Sequence, residues 1–161
     1  MILLGCGGFG IMIAAAHKRE ERMLRKLIGA LDYMECELQY RMSALPELFR
    51  DTAKELDGIL QTIFIELANE LETYSSCDVD TCMHQVLKEK KELPVTSREG
   101  LFELGRSIGR FDLEGQLKGL DSVRQECRQK LNTISINADE RRRSYQTLGL
   151  CAGAALVILL M

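Results

Sequence analysis

The side chains most able to do chemistry are concentrated in one short segment near the middle of the chain. Cys77 and Cys82 offer two thiols, and His84 adds an imidazole two residues later. A structural zinc ion needs four such ligands, and the only other histidine, His17, lies next to an apolar N-terminal stretch. We therefore expect no metal here and interpret the two cysteines as residues of a surface loop.

Other catalytic patterns are incomplete. Asp78 and Asp80 share a predicted turn, but the further carboxylates of a calcium loop do not follow. The N-terminal glycines lie in an apolar segment without the Lys-Ser/Thr that completes a phosphate-binding loop. We expect no nucleophile elbow, and a cysteine nucleophile would have only two histidines available as a base. We therefore predict that the protein is not an enzyme and that it binds no cofactor.

The composition argues against a nucleic-acid-binding protein and against a disulfide-stabilised one. The net charge of −3 provides no basic field for nucleic acid. The six cysteines follow no regular framework, so we expect them to be reduced and to behave as small apolar residues.

The charge distribution divides the 161 residues into three parts. Residues 1–16 and 144–161 contain no Asp, Glu, Lys or Arg, so all 21 basic and 24 acidic residues lie between Lys18 and Arg143. We predict a transmembrane segment at 1–16, a cytoplasmic helical bundle at 17–143 and a second transmembrane segment at 144–161. Both segments are short for a hydrocarbon core about 30 Å thick, which bilayer thinning and snorkelling of the flanking cations would offset.

Basic residues flank both segments on the side of the central domain: Lys18, Arg19 and Arg22 after the first, and Arg141, Arg142 and Arg143 before the second. The positive-inside rule predicts that this side is cytoplasmic. The alternative is a signal peptide cleaved after Ala16, which would leave a secreted or periplasm-facing, tail-anchored helical interaction protein. No positive residue precedes the apolar stretch, as signal peptides normally require.

Small residues are frequent in the apolar ends. Gly149 and Gly153 form a GxxxG pattern, which permits close packing of membrane helices. Because glycine is common in membrane helices generally, a packing role for this pair and a background occurrence both stay open.

The central domain is predicted to be helical throughout. Apolar residues recur at steps of three and four from Leu24 to Leu45 and again from Leu113 to Ala138, and we expect both long helices to continue into the apolar ends. Gly58 and Pro94 interrupt the pattern between them, and a Thr96–Glu99 capping box is predicted to open the helix after Pro94. No run alternates long enough for a strand. The predicted fold class is all-α: an antiparallel bundle of about six helices flanked by transmembrane helices.

The most unusual pattern comprises Gly105, Gly109, Asp112 and Gln116. The two glycines are four residues apart, so on a helix they would share a face and allow close contact with a neighbour. Asp112 and Gln116 are also four apart, one turn along the next helix. In a simpler interpretation Gly109 ends one helix, Asp112 caps the next and Gln116 is solvated. Both interpretations stay open.

This segment carries a family resemblance. Leu104-Gly105, Ile108-Gly109, Asp112 and Gln116 fit the pattern LG-x-x-LG-x-x-D-x-x-x-Q, with Ile in place of the second leucine. The basic segment Arg19–Leu31 and the Leu45-Pro-Glu-Leu48 turn occur in the matching order. Together these motifs resemble the family of stage III sporulation protein AB, and the resemblance covers essentially the whole chain.

The resemblance implies a fold similar to the cytoplasmic domains of the F proteins of type II secretion and type IV pilus machines. It implies a subunit of the channel between mother cell and forespore, located in the mother-cell membrane, with the stage III sporulation protein AA ATPase and other channel-complex membrane subunits as partners. Type II F proteins carry two such domains, whereas this chain has one, so we expect homo-oligomerisation. The glycine, aspartate and glutamine pattern would then be a structural corner or a docking surface.

Overall fold

The computed structural model describes the backbone of residues 2–41, 43–73, 78–109 and 112–160, and the side chains of residues 16, 18–41, 43–73, 78–109 and 112–136. The elements are α1 (Ile2–Tyr40), α2 (Leu45–Lys54), α3 (Gly58–Thr73), α4 (Val79–Lys88), α5 (Val95–Ser107) and α6 (Leu113–Leu160). The described part of the chain contains six helices and no strand, so the prediction of an all-helical bundle is confirmed.

The two long helices, α1 and α6, pack side by side in opposite directions. Each buries one narrow apolar stripe, as the steps of three and four predict. The stripe of α1 comprises Leu24, Leu27, Leu31, Met34 and Leu38, and the fully buried part of the α6 stripe comprises Leu120, Val123 and Cys127. Both helices continue without interruption into the apolar ends, which also agrees with the sequence pattern.

The four short helices complete the core. The hairpin of α2 and α3 is joined by Phe49 and Phe64, whose rings meet edge to face with centroids 5.7 Å apart. Helix α5 packs between α4 and α6. Thr52 is buried within α2, where its hydroxyl donates to the Leu48 carbonyl at 2.7 Å, so this polar group costs the core little.

The start of α5 differs from the sequence prediction. The N-cap of α2 is Ala44 and that of α5 is Pro94; neither start has a side-chain cap. The predicted Thr96–Glu99 capping box is therefore wrong, because α5 already begins at Val95 and Thr96 lies inside its first turn. Pro94 has φ −55° and ψ 143°, an extended conformation outside the helix, and its fixed φ suits this position just before Val95.

The alternating helix directions give the bundle two different ends. The end of the bundle from which α1 and α6 continue into the apolar segments is called the stalk end. There Lys26 of α1 pairs with Asp57 of the α2–α3 turn. At the opposite, distal end, the start of α2 approaches the segment after α5, where Leu45 lies beside Gly109.

Arg124 on α6 is the polar link between the two long helices. Its Nη1 atom pairs with Asp32 at 3.0 Å and also with Glu35 on α1, while Nη2 pairs with Asp121 on its own helix. Only 18% of this side chain is exposed. The hydrogen bond to Asp121 and the further carboxylates on α1 raise the pKa of Arg124 against the opposing effect of burial.

Arg124→Ala is expected to lower the free energy of unfolding by about 1–3 kcal/mol, because it leaves three carboxylates crowded around a partly buried position. Arg128→Ala is the matched control: Arg128 is 57% exposed and lies 3.8 Å from Asp32, so its loss should change stability by less than about 0.5 kcal/mol. Urea unfolding of both variants measures the difference, and equal losses would contradict the assigned role of Arg124.

Candidate functional site

The sequence pattern of two glycines, an aspartate and a glutamine lies where α5 ends and α6 begins, at the distal end of the bundle. We refer to Gly105, Gly109, Asp112 and Gln116 as the α5–α6 corner. Residues 110 and 111 within it are outside the described part of the structure. The corner faces the start of α4, and its four residues have different structural roles.

Gly105 is a point of close approach between α5 and α4. The residue is buried. A Cβ atom added to it would lie 3.0 Å from the Cβ of Met83 and 3.3 Å from the Cα of Asp80. The second distance is to backbone, which cannot move aside as a side chain could. A glycine is therefore required for the two helices to pack at this separation.

Gly109 lies beyond the end of α5, because the helix ends at Ser107 and Ile108 is extended. Its φ of +92° is in the left-handed region that favours glycine. An added Cβ would also lie 2.8 Å from Cγ2 of Val79. The two glycines thus do not share a helix face as their spacing predicted, although both contact the first turns of α4.

Asp112 is the N-cap residue of α6. Its Oδ1 atom accepts a hydrogen bond from the Gly115 amide at 3.1 Å, and its carbonyl accepts one from the Gln116 amide at 2.9 Å. Asp112 is exposed to solvent. Gln116, one turn further along α6, is half-buried. The corner therefore combines a closely packed apolar side with a negative charge on its surface.

Gly119 is a further close contact that the sequence reasoning missed. A Cβ atom added there would lie 2.7 Å from the Cβ of Ser107 and 3.2 Å from its carbonyl oxygen. Gly119 allows α6 to cross the end of α5 as Gly105 allows α5 to cross α4. Its four-residue spacing from Gly115 was the available signal.

The segment Gly105-Arg-Ser-Ile-Gly109 matches the G-x-S-x-G sequence pattern of a nucleophile elbow, although no such elbow was expected from the sequence. In hydrolases that motif occupies a strained turn from a strand into a helix, which exposes the serine. Ser107 instead is the last residue of α5, half-buried and packed on Gly119. The motif here marks close helix packing, and the geometry is not that of a nucleophile elbow.

The surface beside the corner is polar. Asp80 lies 4.0 Å from Nε of Arg106 and 3.7 Å from Nε2 of His84, and the imidazole of His84 stacks on Phe102 with ring centroids 4.3 Å apart. Tyr40, at the end of α1, is 81% exposed. These residues give the distal end charge of both signs and one exposed aromatic side chain.

The residues considered for metal or thiol chemistry do not converge. Cys82 is buried in the core while His84 is exposed, and Cys77 lies outside the described residues. Among the described residues, no three His, Cys, Asp or Glu side chains come together as metal ligands would. Burial raises the pKa of Cys127 to about 11, so this thiol stays protonated near neutral pH.

The predicted membrane features are described only in part. Lys18, Arg19 and Arg22 are exposed on α1. The side chains of Arg141, Arg142, Arg143, Gly149 and Gly153, and of nearly all of 1–16 and 144–161, are outside the described residues. Within the residues that could be assessed, no helix has a stretch long and apolar enough to cross a bilayer.

Comparison with known proteins gives one consistent result. The family model "Stage III sporulation protein AB" matches residues 1–161. Stage III sporulation protein AB of Bacillus subtilis (strain 168) is 24% identical over 155 residues, covering 94% of this chain and 90% of that protein. A solved structure of stage III sporulation protein AB (SpoIIIAB) has a TM-score of 0.66 at 23% identity, covering 75% of this chain and 97% of that one. The resemblance predicted from the sequence motifs is confirmed.

Gly105→Ala is expected to lower the free energy of unfolding by about 1–3 kcal/mol, because the new methyl group meets the α4 backbone. Gly29→Ala is the matched control, since Gly29 lies inside α1 with no atom within 4 Å of an added Cβ. That variant should gain about 0.5–1 kcal/mol from the higher helix propensity of alanine. Changes of the same sign in thermal unfolding would contradict close packing at Gly105.

Proposed function

Because the chain belongs to the stage III sporulation protein AB family, we propose that it is a non-enzymatic, membrane-anchored platform subunit of the channel between mother cell and forespore. One structural observation supports this proposal above the others. The antiparallel packing of α1 and α6 directs both apolar ends away from the same end of the bundle, and the α5–α6 corner lies at the other. One end is thus available for a membrane and the other for a partner.

In this proposal residues 1–16 and 144–161 anchor the protein in the mother-cell membrane, with the bundle in the cytoplasm. The absence of charged residues from both segments supports anchoring, and the basic clusters on the bundle side support the orientation. Because α1 and α6 are continuous with the segments, any displacement of the bundle is transmitted to the membrane through two helices.

The proposed partner at the distal end is the stage III sporulation protein AA ATPase. Binding energy at protein interfaces is concentrated in a few aromatic and charged side chains, and the distal end offers exposed Tyr40 and Asp112. Other membrane subunits of the channel, and further copies of this chain, would pack against the membrane helices, for which Gly149 and Gly153 are the proposed contact.

Membrane anchoring predicts that the full chain stays in the membrane pellet after alkaline carbonate extraction, and that its intact mass includes residues 1–16. Replacing Leu3, Ile11 and Ile13 by Glu in the first segment should release at least a third of the protein, because charged residues are strongly unfavourable in hydrocarbon. A mass lacking the first sixteen residues would instead support the secreted, tail-anchored alternative.

ATPase docking predicts that Tyr40→Ala and Asp112→Asn each reduce co-purification with a tagged AA-type ATPase from sporulating cells at least fivefold. Asparagine is as good an N-cap as aspartate, so Asp112→Asn removes the charge while keeping the cap of α6.

Glu89→Gln is the control for this experiment, since it removes an equally exposed charge at the stalk end. The melting temperatures of all three variants should match that of the unaltered protein. Normal binding by both distal variants would refute docking at this end, and a large loss of stability in Asp112→Asn would make the corner purely structural.

A further inference from the structure

A cleft of about 370 Å³ opens at the stalk end of the bundle. It lies between α1, the first turn of α3 and the connection from α4 to α5. The lining residues are Arg19, Arg22, Met23, Lys26, Asp57, Gly58, Ile59, Leu60 and Glu92. One wall is therefore basic and the floor is apolar, and the cleft is unrelated to the distal corner.

The charged residues of the cleft differ in whether they are already paired. Lys26 is bound to Asp57 across the cleft. Arg19 and Arg22 form no ion pair with any residue whose side chain is described, and Arg22 uses only Nε, which donates to the Lys18 carbonyl at 3.3 Å. In contrast Arg25, on the same helix, pairs with Glu21 at 2.8 Å. Among the described side chains, the cleft thus presents two guanidinium groups without a carboxylate partner.

The position of these arginines along α1 matters if residues 1–16 are inserted in a bilayer, a premise that rests on the proposed function. Arg19 and Arg22 are three and six residues beyond Ala16, or about 5 and 9 Å along the helix axis. The headgroup layer of one leaflet is about 5–7 Å thick. Extended arginine side chains at these positions reach the level of the lipid phosphates.

We propose that this cleft binds the phosphate group of an anionic phospholipid, with Arg19 and Arg22 as its ligands. The guanidinium fork matches two phosphate oxygens, which makes arginine a common residue at phosphate sites. The partly buried side chains of Met23 and Ile59 give the cleft an apolar floor suited to the glycerol and first ester carbons of the lipid. Because α1, α3 and the α4–α5 connection all line the cleft, one lipid would fix the tilt of the whole bundle.

Glu92 allows the effect of removing a negative charge to be compared with that of removing a positive charge at the same cleft. It is exposed at the rim of the cleft and opposes a bound anion. Glu92→Gln should therefore strengthen binding of an anionic lipid severalfold, whereas both arginine substitutions weaken it. A purely structural cleft would give no such opposite effects on lipid affinity.

The experiment is native mass spectrometry of the full chain in dodecyl maltoside, with phosphatidylglycerol or phosphatidylcholine added to the micelles. We expect selective retention of phosphatidylglycerol. Arg22→Gln should weaken its apparent affinity about fivefold and Arg19→Gln/Arg22→Gln about 30-fold. Arg25→Gln, which makes the same charge change on the same helix away from the cleft, should change it less than twofold.

A phosphate group could also reach the two arginines as part of a free phosphate ester rather than a lipid. Glycerol phosphate should bind only weakly to the protein in lipid-free micelles; binding as strong as that of phosphatidylglycerol would overturn the assignment to lipid. Equal weakening by Arg22→Gln and Arg25→Gln would overturn a defined site in favour of a diffuse charge effect. Because binding is measured in detergent, failure of the site is distinct from failure of membrane anchoring, which carbonate extraction reports.

Discussion

The antiparallel packing of α1 against α6 is the constraint on which the rest of the structure depends. Each helix buries a single narrow stripe of apolar residues. Neither stripe is shielded from water unless the two helices pack against each other and against the short helices. Arg124 adds a polar link with Asp32 and Glu35 between the two helices. Once the pair is antiparallel, the two chain ends must leave the bundle on the same side.

Two of the helix contacts beside the long pair depend on close backbone approach at glycine. Gly105 brings α5 onto α4, and Gly119 brings α6 onto the end of α5. Between these contacts Gly109 turns the chain with a positive φ, and Asp112 starts the next helix. The glycines of the corner are thus a geometric necessity of the fold, whereas the Asp112 carboxylate both caps α6 and presents a negative charge to solvent.

The two ends of the bundle differ in a way that is consistent with the proposed platform function. The proposed membrane and lipid contacts involve the stalk end, where α1 carries basic residues and the cleft opens. The proposed partner contacts involve the distal end, where Tyr40 is exposed and α4, α5 and α6 meet. A rigid bundle between the two would transmit force or position from a partner to the membrane, and this needs no catalytic residue.

Much of this architecture could be predicted from the sequence. The apolar stripes from Leu24 and from Leu113 predicted both long helices and their continuation into the apolar ends, because helical periodicity is a local property of the chain. Asp112 was correctly predicted as a cap for the same reason. The capping box at Thr96 was wrong, because the N-cap of α5 is Pro94, two residues earlier. The order of weak motifs along the chain also identified the family correctly.

Only the tertiary structure decided which side chains meet across helices. The pairing of Arg124 with Asp32 joins residues 92 positions apart, and no local pattern could have identified it. The need for glycine at positions 105 and 119 depends on the distance between two helix axes, which is set by packing of the whole core. The spacing of Gly105 and Gly109 indicated a shared helix face, but the end of α5 at Ser107 separated their roles. The sequence by itself determined the helices and their buried faces; contacts between distant residues required the folded bundle.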